Sequence, residues 1–233
     1  MKSQLIVALD VPDTDSVQRI VDLLPPEIAW YKVGLELFVS EGPQVLSLLK
    51  KRQKRIFLDL KLHDIPNTVA RAVASAARHG ADMLTLHAGG GRAMLQAAAD
   101  QAAMLGPDGP KLVAVTTLTS LNDKDLNEMG ISRALADHTK ALGIMAVNSG
   151  VNGVVCSTHE AAEFRQDLPA GSIIVTPGIR PAGSDVGDQK RIATPSVAVK
   201  SGSDFLVVGR PILSAKSPGD SARCILKEIE SAS

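Results

Sequence analysis

A chain of 233 residues that is 45% hydrophobic is long enough to bury a sizeable core. Its 25 Lys and Arg balance 25 Asp and Glu, which excludes a net field drawing it to nucleic acid or an anionic membrane; any anionic ligand must be held by a local site. Cys156 and Cys224 lie far apart in no metal-ligand spacing, which argues against a disulfide framework or structural zinc and for a reducing cytoplasm.

Lys2 precedes the apolar run Leu5 to Leu9, but Asp10 ends that run too early for a signal-peptide core. Strand-like apolar runs follow one another at Leu5–Val11, Trp30–Leu35, Arg55–Leu62, Met83–Ala88, Lys111–Leu118, Gly153–Ser157, Ser172–Thr176 and Phe205–Gly209. Segments with helical spacing are predicted at Asp15–Leu24, Pro43–Lys50, Thr68–His79, Arg92–Met104, Ser132–Val147, Glu160–Asp167, Ile192–Lys200 and Asp220–Ser231. The longest uncharged span, Ala141 to His159, is interrupted by Asn148, Ser149, Gly150, Asn152 and Gly153, so it reads as helix, turn and strand and not as a membrane span. Apolar strands alternating with amphipathic helices imply a parallel sheet covered by helices, and eight such units are the content of a single-domain TIM (β/α)8 barrel over residues 1–233. An open doubly wound sheet is the alternative, but it wants a glycine-rich turn after its first strand, where this chain has Asp10-Val11-Pro12-Asp13.

In a barrel the chemistry sits at the carboxyl ends of the strands. The first run ends at Asp10, a candidate ligand carboxylate or simply a turn residue or helix cap. Lys32 stands inside the second run, as a site cation or as a side chain that snorkels to water. The third run carries Asp59 and Lys61, which alternation places on one face, and Asp64 follows in a turn before Pro66, suited to the first position of a helix. Three charges within six residues are either an ion pair closing a strand or a working site. His87 reads better as a hydrogen-bonded histidine at the mouth than as a base, and Gly89-Gly90-Gly91 better as a turn than as an anion nest. Thr119 ends the fifth run where ligands bind, whereas Cys156 reads as a small buried thiol. After the last two strands, Gly178-Ile179-Arg180 and Gly209-Arg210 pair backbone amides with guanidinium groups, as a phosphate site requires. The polar stretch from Pro181 to Lys190 is a candidate lid over that phosphate, or an ordinary exposed loop.

The run Phe57-Leu58-Asp59-Leu60-Lys61-Leu62-His63-Asp64-Ile65-Pro66-Asn67-Thr68 resembles the signature of the bacterial orotidine 5′-phosphate decarboxylase family. Ala8-Leu9-Asp10, Tyr31-Lys32-Val33-Gly34, Thr119-Ser120, Thr176-Pro177-Gly178-Ile179-Arg180 and Val208-Gly209-Arg210-Pro211 extend the resemblance over essentially the whole chain. It implies conversion of orotidine 5′-monophosphate to uridine 5′-monophosphate and carbon dioxide in de novo pyrimidine biosynthesis, without metal or organic cofactor. By the same resemblance Lys61 would stabilise the C6 carbanion and protonate it, with Asp59 near the departing carboxylate and Lys32 completing the charges. Asp10 would bind the ribose, Thr119 would help hold the substrate, and Arg180, Gly209 and Arg210 would bind the phosphate. Gln189 would bridge lid and phosphate. Asp64 and Thr68 would reach into the neighbouring subunit's site, which implies a homodimer. Two other readings stay open: a magnesium-dependent sugar-phosphate decarboxylase or aldolase-like barrel sharing Asp59-x-Lys61-x-x-Asp64, and a barrel that binds a phosphoribosyl ligand without chemistry.

Overall fold

The computed structural model describes residues 2–181 and 193–232. Eight parallel strands close into one barrel in chain order: β1 (Gln4–Ala8), β2 (Trp30–Gly34), β3 (Arg55–Leu62), β4 (Met83–His87), β5 (Lys111–Val115), β6 (Gly153–Val155), β7 (Ile173–Thr176) and β8 (Phe205–Val208). Closure is by β1 on β8, in register from Gln4 opposite Phe205 to Val7 opposite Val208. Around the strands run α1 (Thr14–Leu23), α2 (Leu35–Glu41), α3 (Gln44–Lys51), α4 (Pro66–Arg78), α5 (Gly91–Met104) and α6 (Asp123–Glu128). They continue with α7 (Leu135–Val147), α8 (Thr158–Asp167), α9 (Pro195–Lys200), α10 (Arg210–Leu213) and α11 (Pro218–Ala232). This is the single (β/α)8 barrel the sequence predicts, not the open sheet.

Side-chain alternation divides the core into two layers. One set of positions, among them Val7, Tyr31, Val33, Leu58, Leu84, Leu86 and Leu206, packs outward against the helices. The other set fills the barrel itself: Ile6, Ala8, Trp30, Phe57, Met83, Val113, Val175, Phe205 and Val207. Trp30 and Phe205 meet edge to face, 5.3 Å between ring centres, towards the amino ends of the strands. Each large side chain buried this way contributes roughly 1.5–3 kcal/mol, which anchors the strands and leaves their carboxyl ends free to carry polar groups.

The helix that follows the central motif illustrates how local signals set the frame. Pro66 occupies the first turn of α4, Val69, Val73 and Ala76 recur on its buried face, and the chain turns out at Gly80 with φ +82°. That spacing lays α4 back over the sheet and leaves its amino end at the mouth.

Several boundaries differ from the sequence expectation. β1 stops at Ala8 and β5 at Val115, so Asp10 and Thr119 stand in the loops just past the strand ends. α7 starts at Leu135 and not at Ser132, and α9 starts at Pro195 behind the Thr194 cap, the expected Ile192 lying outside the described residues. α2, α6 and α10 were not expected at all; each is at most seven residues long, too short to show a helical period. Among the described residues no helix is long and apolar enough to cross a membrane.

Candidate active site

The inward positions change character along each strand. Ile6 and Ala8 lead to Asp10, Trp30 to Lys32, Phe57 to Asp59, and Met83 to Thr85 and His87. Register then gathers the polar ends, because Ala8 lies opposite Lys32 and Gly34 opposite Asp59.

The result is a row of alternating charges. Lys32 Nζ lies 3.0 Å from Asp10 Oδ1 and 3.8 Å from Asp59 Oδ2, and Lys61 Nζ lies 2.9 Å from Asp59 Oδ1. The Lys32 and Asp59 side chains are only 12% and 14% exposed, so each has given up most of its water and is held by its neighbours. Two glycines make room for the row. A Cβ on Gly34 would sit 2.9 Å from Lys32 Nζ, and one on Gly209 would sit 3.1 Å from Asp10 Oδ2.

Asp59 and Lys61 do share a face, but not by regular alternation. Leu58 pairs with Leu84 and Leu62 with Leu86, so Asp59, Leu60 and Lys61 stand opposite Thr85 alone. Lys61 takes up the excess with φ +50°, a left-handed conformation that costs a non-glycine residue on the order of 1 kcal/mol. Its backbone N–H donates to Thr85 Oγ1 at 2.8 Å, and Thr85 Oγ1 donates in turn to Asp59 Oδ1 at 3.0 Å. Thr85 was missed in the sequence because a threonine inside an apolar strand reads as ordinary β-propensity. Its parity with Met83 and His87 is the signal that places it inside the barrel.

A cavity of ≈ 200 Å³ opens beside the row, walled by Lys32, Asp59, Lys61, Thr117, Thr119 and Pro177 among others. Cys156 also borders it, and burial pushes its thiol well above the usual range, with Glu160 adding to the effect. The thiol stays protonated, in keeping with a packing role. A larger hollow of ≈ 1040 Å³ lies at the opposite end of the barrel, around Trp30, Arg55, Asp82, Arg165 and Asp204. Two of its acids are committed to the frame: Asp82 to Lys50 and the Ile56 N–H, Asp204 to Arg165 and the Ile174 N–H.

His87 stacks on His63 with 5.1 Å between ring centres, and its Nδ1 accepts the Gly89 N–H at 3.1 Å. Burial lowers its pKa, and the charges of His63 and Lys61 lower it further. It is a hydrogen-bonded histidine at the mouth, as the sequence reading has it. Gly89 and Gly90 lie in a 3-10 turn, where a Cβ on Gly90 would sit 2.1 Å from Met94 Sδ.

The remaining predicted residues follow β3, β7 and β8 in the chain. Asp64 is exposed, with Oδ1 accepting the Ile65 N–H at 2.6 Å, and forms no ion pair within the chain among the described residues. Thr68 is exposed in the first turn of α4. Arg180 is 6% exposed and Nη1 donates to the Ile179 carbonyl at 2.9 Å; Arg210 opens α10 and is exposed. Among the described residues neither arginine belongs to the cavity wall. Gln189, and the rest of the expected lid beyond Pro181, lie outside the described residues.

A model of the orotidine 5′-phosphate decarboxylase / HUMPS family matches residues 3–225. Orotidine 5′-phosphate decarboxylase of Moorella thermoacetica is 47% identical, the alignment covering 98% of this chain and 93% of that protein. That of Nostoc sp. is 47% identical over 97% of both. The crystal structure of orotidine 5′-phosphate decarboxylase from Lactobacillus acidophilus superposes with a TM-score of 0.87 at 38% identity, covering 97% of this chain and 99% of that one.

Proposed function

The chain belongs to the orotidine 5′-phosphate decarboxylase / HUMPS family, and from that premise we propose that it decarboxylates orotidine 5′-monophosphate to uridine 5′-monophosphate in pyrimidine biosynthesis. The observation that carries the proposal is the row Asp10, Lys32, Asp59, Lys61, in which one carboxylate is flanked by two ammonium groups within 4 Å at the mouth of the barrel.

Losing carbon dioxide from C6 leaves an electron pair in the ring plane, where the pyrimidine π-system cannot take it up. Stabilisation must come from outside. Lys61 is proposed as the ammonium that faces that pair: the C6–carboxylate bond breaks, carbon dioxide departs, the pair stays on C6, and a Lys61 N–H proton moves onto it. Solvent then reprotonates the amine. One well-placed electrostatic contact is worth about 3–4 kcal/mol, against the roughly 8–23 kcal/mol that enzymes typically remove, so Lys61 must act with others. Asp59 holds the ammonium, and Lys32 balances Asp59. Fixed charges of this kind need no reorganisation during the reaction.

Asp10, half exposed at the rim, is suited to ribose hydroxyls, and Thr119 in the cavity wall to the base. Arg180, the Gly209 amide, Arg210 and Gln189 are proposed for the phosphate. Asp64 and Thr68, exposed at the amino end of α4, are proposed to complete the site of a second subunit in a homodimer.

The test is the ultraviolet absorbance change of orotidine 5′-monophosphate with purified protein, with and without a chelator and beside Lys61→Ala. Chelator-insensitive turnover that Lys61→Ala abolishes supports the proposal. No turnover by folded protein overturns it and directs the search to sugar phosphates with magnesium.

A further inference from the structure

We infer that Thr85 is the positioning residue of this site, orienting both ends of Lys61 and the Asp59 carboxylate through one hydroxyl. The inference rests on the proposed decarboxylation and adds to it a residue outside the charged motif.

The geometry leaves the hydroxyl little choice. A backbone N–H can only donate, so the 2.8 Å contact from Lys61 N makes Thr85 Oγ1 the acceptor there. Its single proton is therefore free for Asp59 Oδ1 at 3.0 Å, the oxygen that also accepts from Lys61 Nζ at 2.9 Å. A closed ring results: Lys61 backbone, Thr85 hydroxyl, Asp59 carboxylate, Lys61 ammonium.

Two consequences follow. The two oxygens of a carboxylate are chemically equivalent, and the Thr85 proton makes them unequal by fixing Oδ1 towards Lys61 while Oδ2 faces Lys32 at 3.8 Å. The ring also gives a partner to the N–H that the register shift removes from the strand ladder, so it holds Lys61 at φ +50°. Thr85 is fully buried, its neighbours Leu84 and Leu86 face the helices, and among the described residues its hydroxyl is used by this ring alone.

A threonine that merely packs would behave oppositely to one that positions, and two substitutions separate them. Thr85→Val keeps the shape and removes the hydroxyl; Thr85→Ser keeps the hydroxyl and removes the methyl. We expect Thr85→Val to lower kcat about 100-fold, the scale of loss for reacting groups displaced by about 1 Å, with KM and uridine 5′-monophosphate affinity within about twofold. Thr85→Ser is expected to retain kcat. Should Thr85→Val not fold, Thr85→Ala against Thr85→Ser poses the same question, since the two differ by one oxygen. Equal kcat for the variants with and without the hydroxyl overturns the inference while leaving the proposed function intact. Wild-type protein that does not turn over orotidine 5′-monophosphate overturns the function, and this role with it.

Discussion

The floor and the mouth of the barrel interior are built along the same stretches of chain, two to four residues apart in sequence, and are held together by opposite means. At the floor Ile6, Trp30, Phe57, Met83 and Phe205 are buried, and each gains by leaving water. At the mouth Lys32 and Asp59 lose most of their hydration and recover it from Asp10, Lys61, Thr85 and each other. The floor therefore supplies stability and the mouth spends it on fixed charge, and the two should separate cleanly under substitution.

The largest expected effects lie at the two extremes. Phe205→Ala removes a ring packed on Trp30 and should destabilise the protein by about 3–5 kcal/mol in a urea titration, with kcat per folded molecule unchanged. Lys61→Ala should do the reverse. Its side chain is one-third exposed, and Asp59 keeps Lys32 and Thr85, so stability should move by about 1 kcal/mol or less while turnover is lost. A Lys61→Ala protein that failed to fold, or a Phe205→Ala protein inactive when folded, would break the division between floor and mouth.

A smaller change sharpens it. Gly34 has φ −96°, which any residue adopts, so alanine meets no backbone strain there. Its new methyl would nevertheless lie 2.9 Å from Lys32 Nζ, and the flexible ammonium is the partner that must move. Gly34→Ala should thus leave the unfolding midpoint near that of the wild type and lower kcat/KM about tenfold by shifting Lys32 away from Asp10 and Asp59. An unchanged kcat/KM would mean that the position of Lys32 is not part of what the mouth does.

The same division explains what the sequence could reveal. Floor residues announce themselves as apolar runs, so the eight strands and their closure into a barrel were legible from periodicity. Asp10, Lys32, Asp59 and Lys61 were legible because charge at the end of an apolar run is conspicuous. What the sequence hid depends on neighbours. The left-handed Lys61 follows from the register of β3 on β4, and the role of Thr85 follows from that register too. Burial of Arg180 could not be read from a loop that looks polar. The helices α2, α6 and α10 were hidden for a different reason, since a helix of two turns or fewer is stabilised by its packing more than by its own pattern.

The least of these effects concerns acid, and it too distinguishes the two layers. His87 at the mouth has its pKa lowered from 6.5, first by burial and then by His63 and Lys61, so the folded state resists a proton that the unfolded chain accepts. Well above pH 6.5 the group is neutral in both states and contributes nothing. As pH falls below 6.5 the unfolded state gains the proton first, and stability declines until the folded histidine titrates as well. His87→Gln should abolish that part of the decline. Between pH 7.5 and pH 5.5 the unfolding free energy of the wild type in a urea titration should fall further than that of His87→Gln, by under about 1 kcal/mol because water screens a half-buried ring. The apolar floor carries no titratable side chain, so the deficit of Phe205→Ala should be the same at both pH values. If His87→Gln declines as steeply as the wild type, the acid sensitivity of the fold arises from groups other than this mouth histidine.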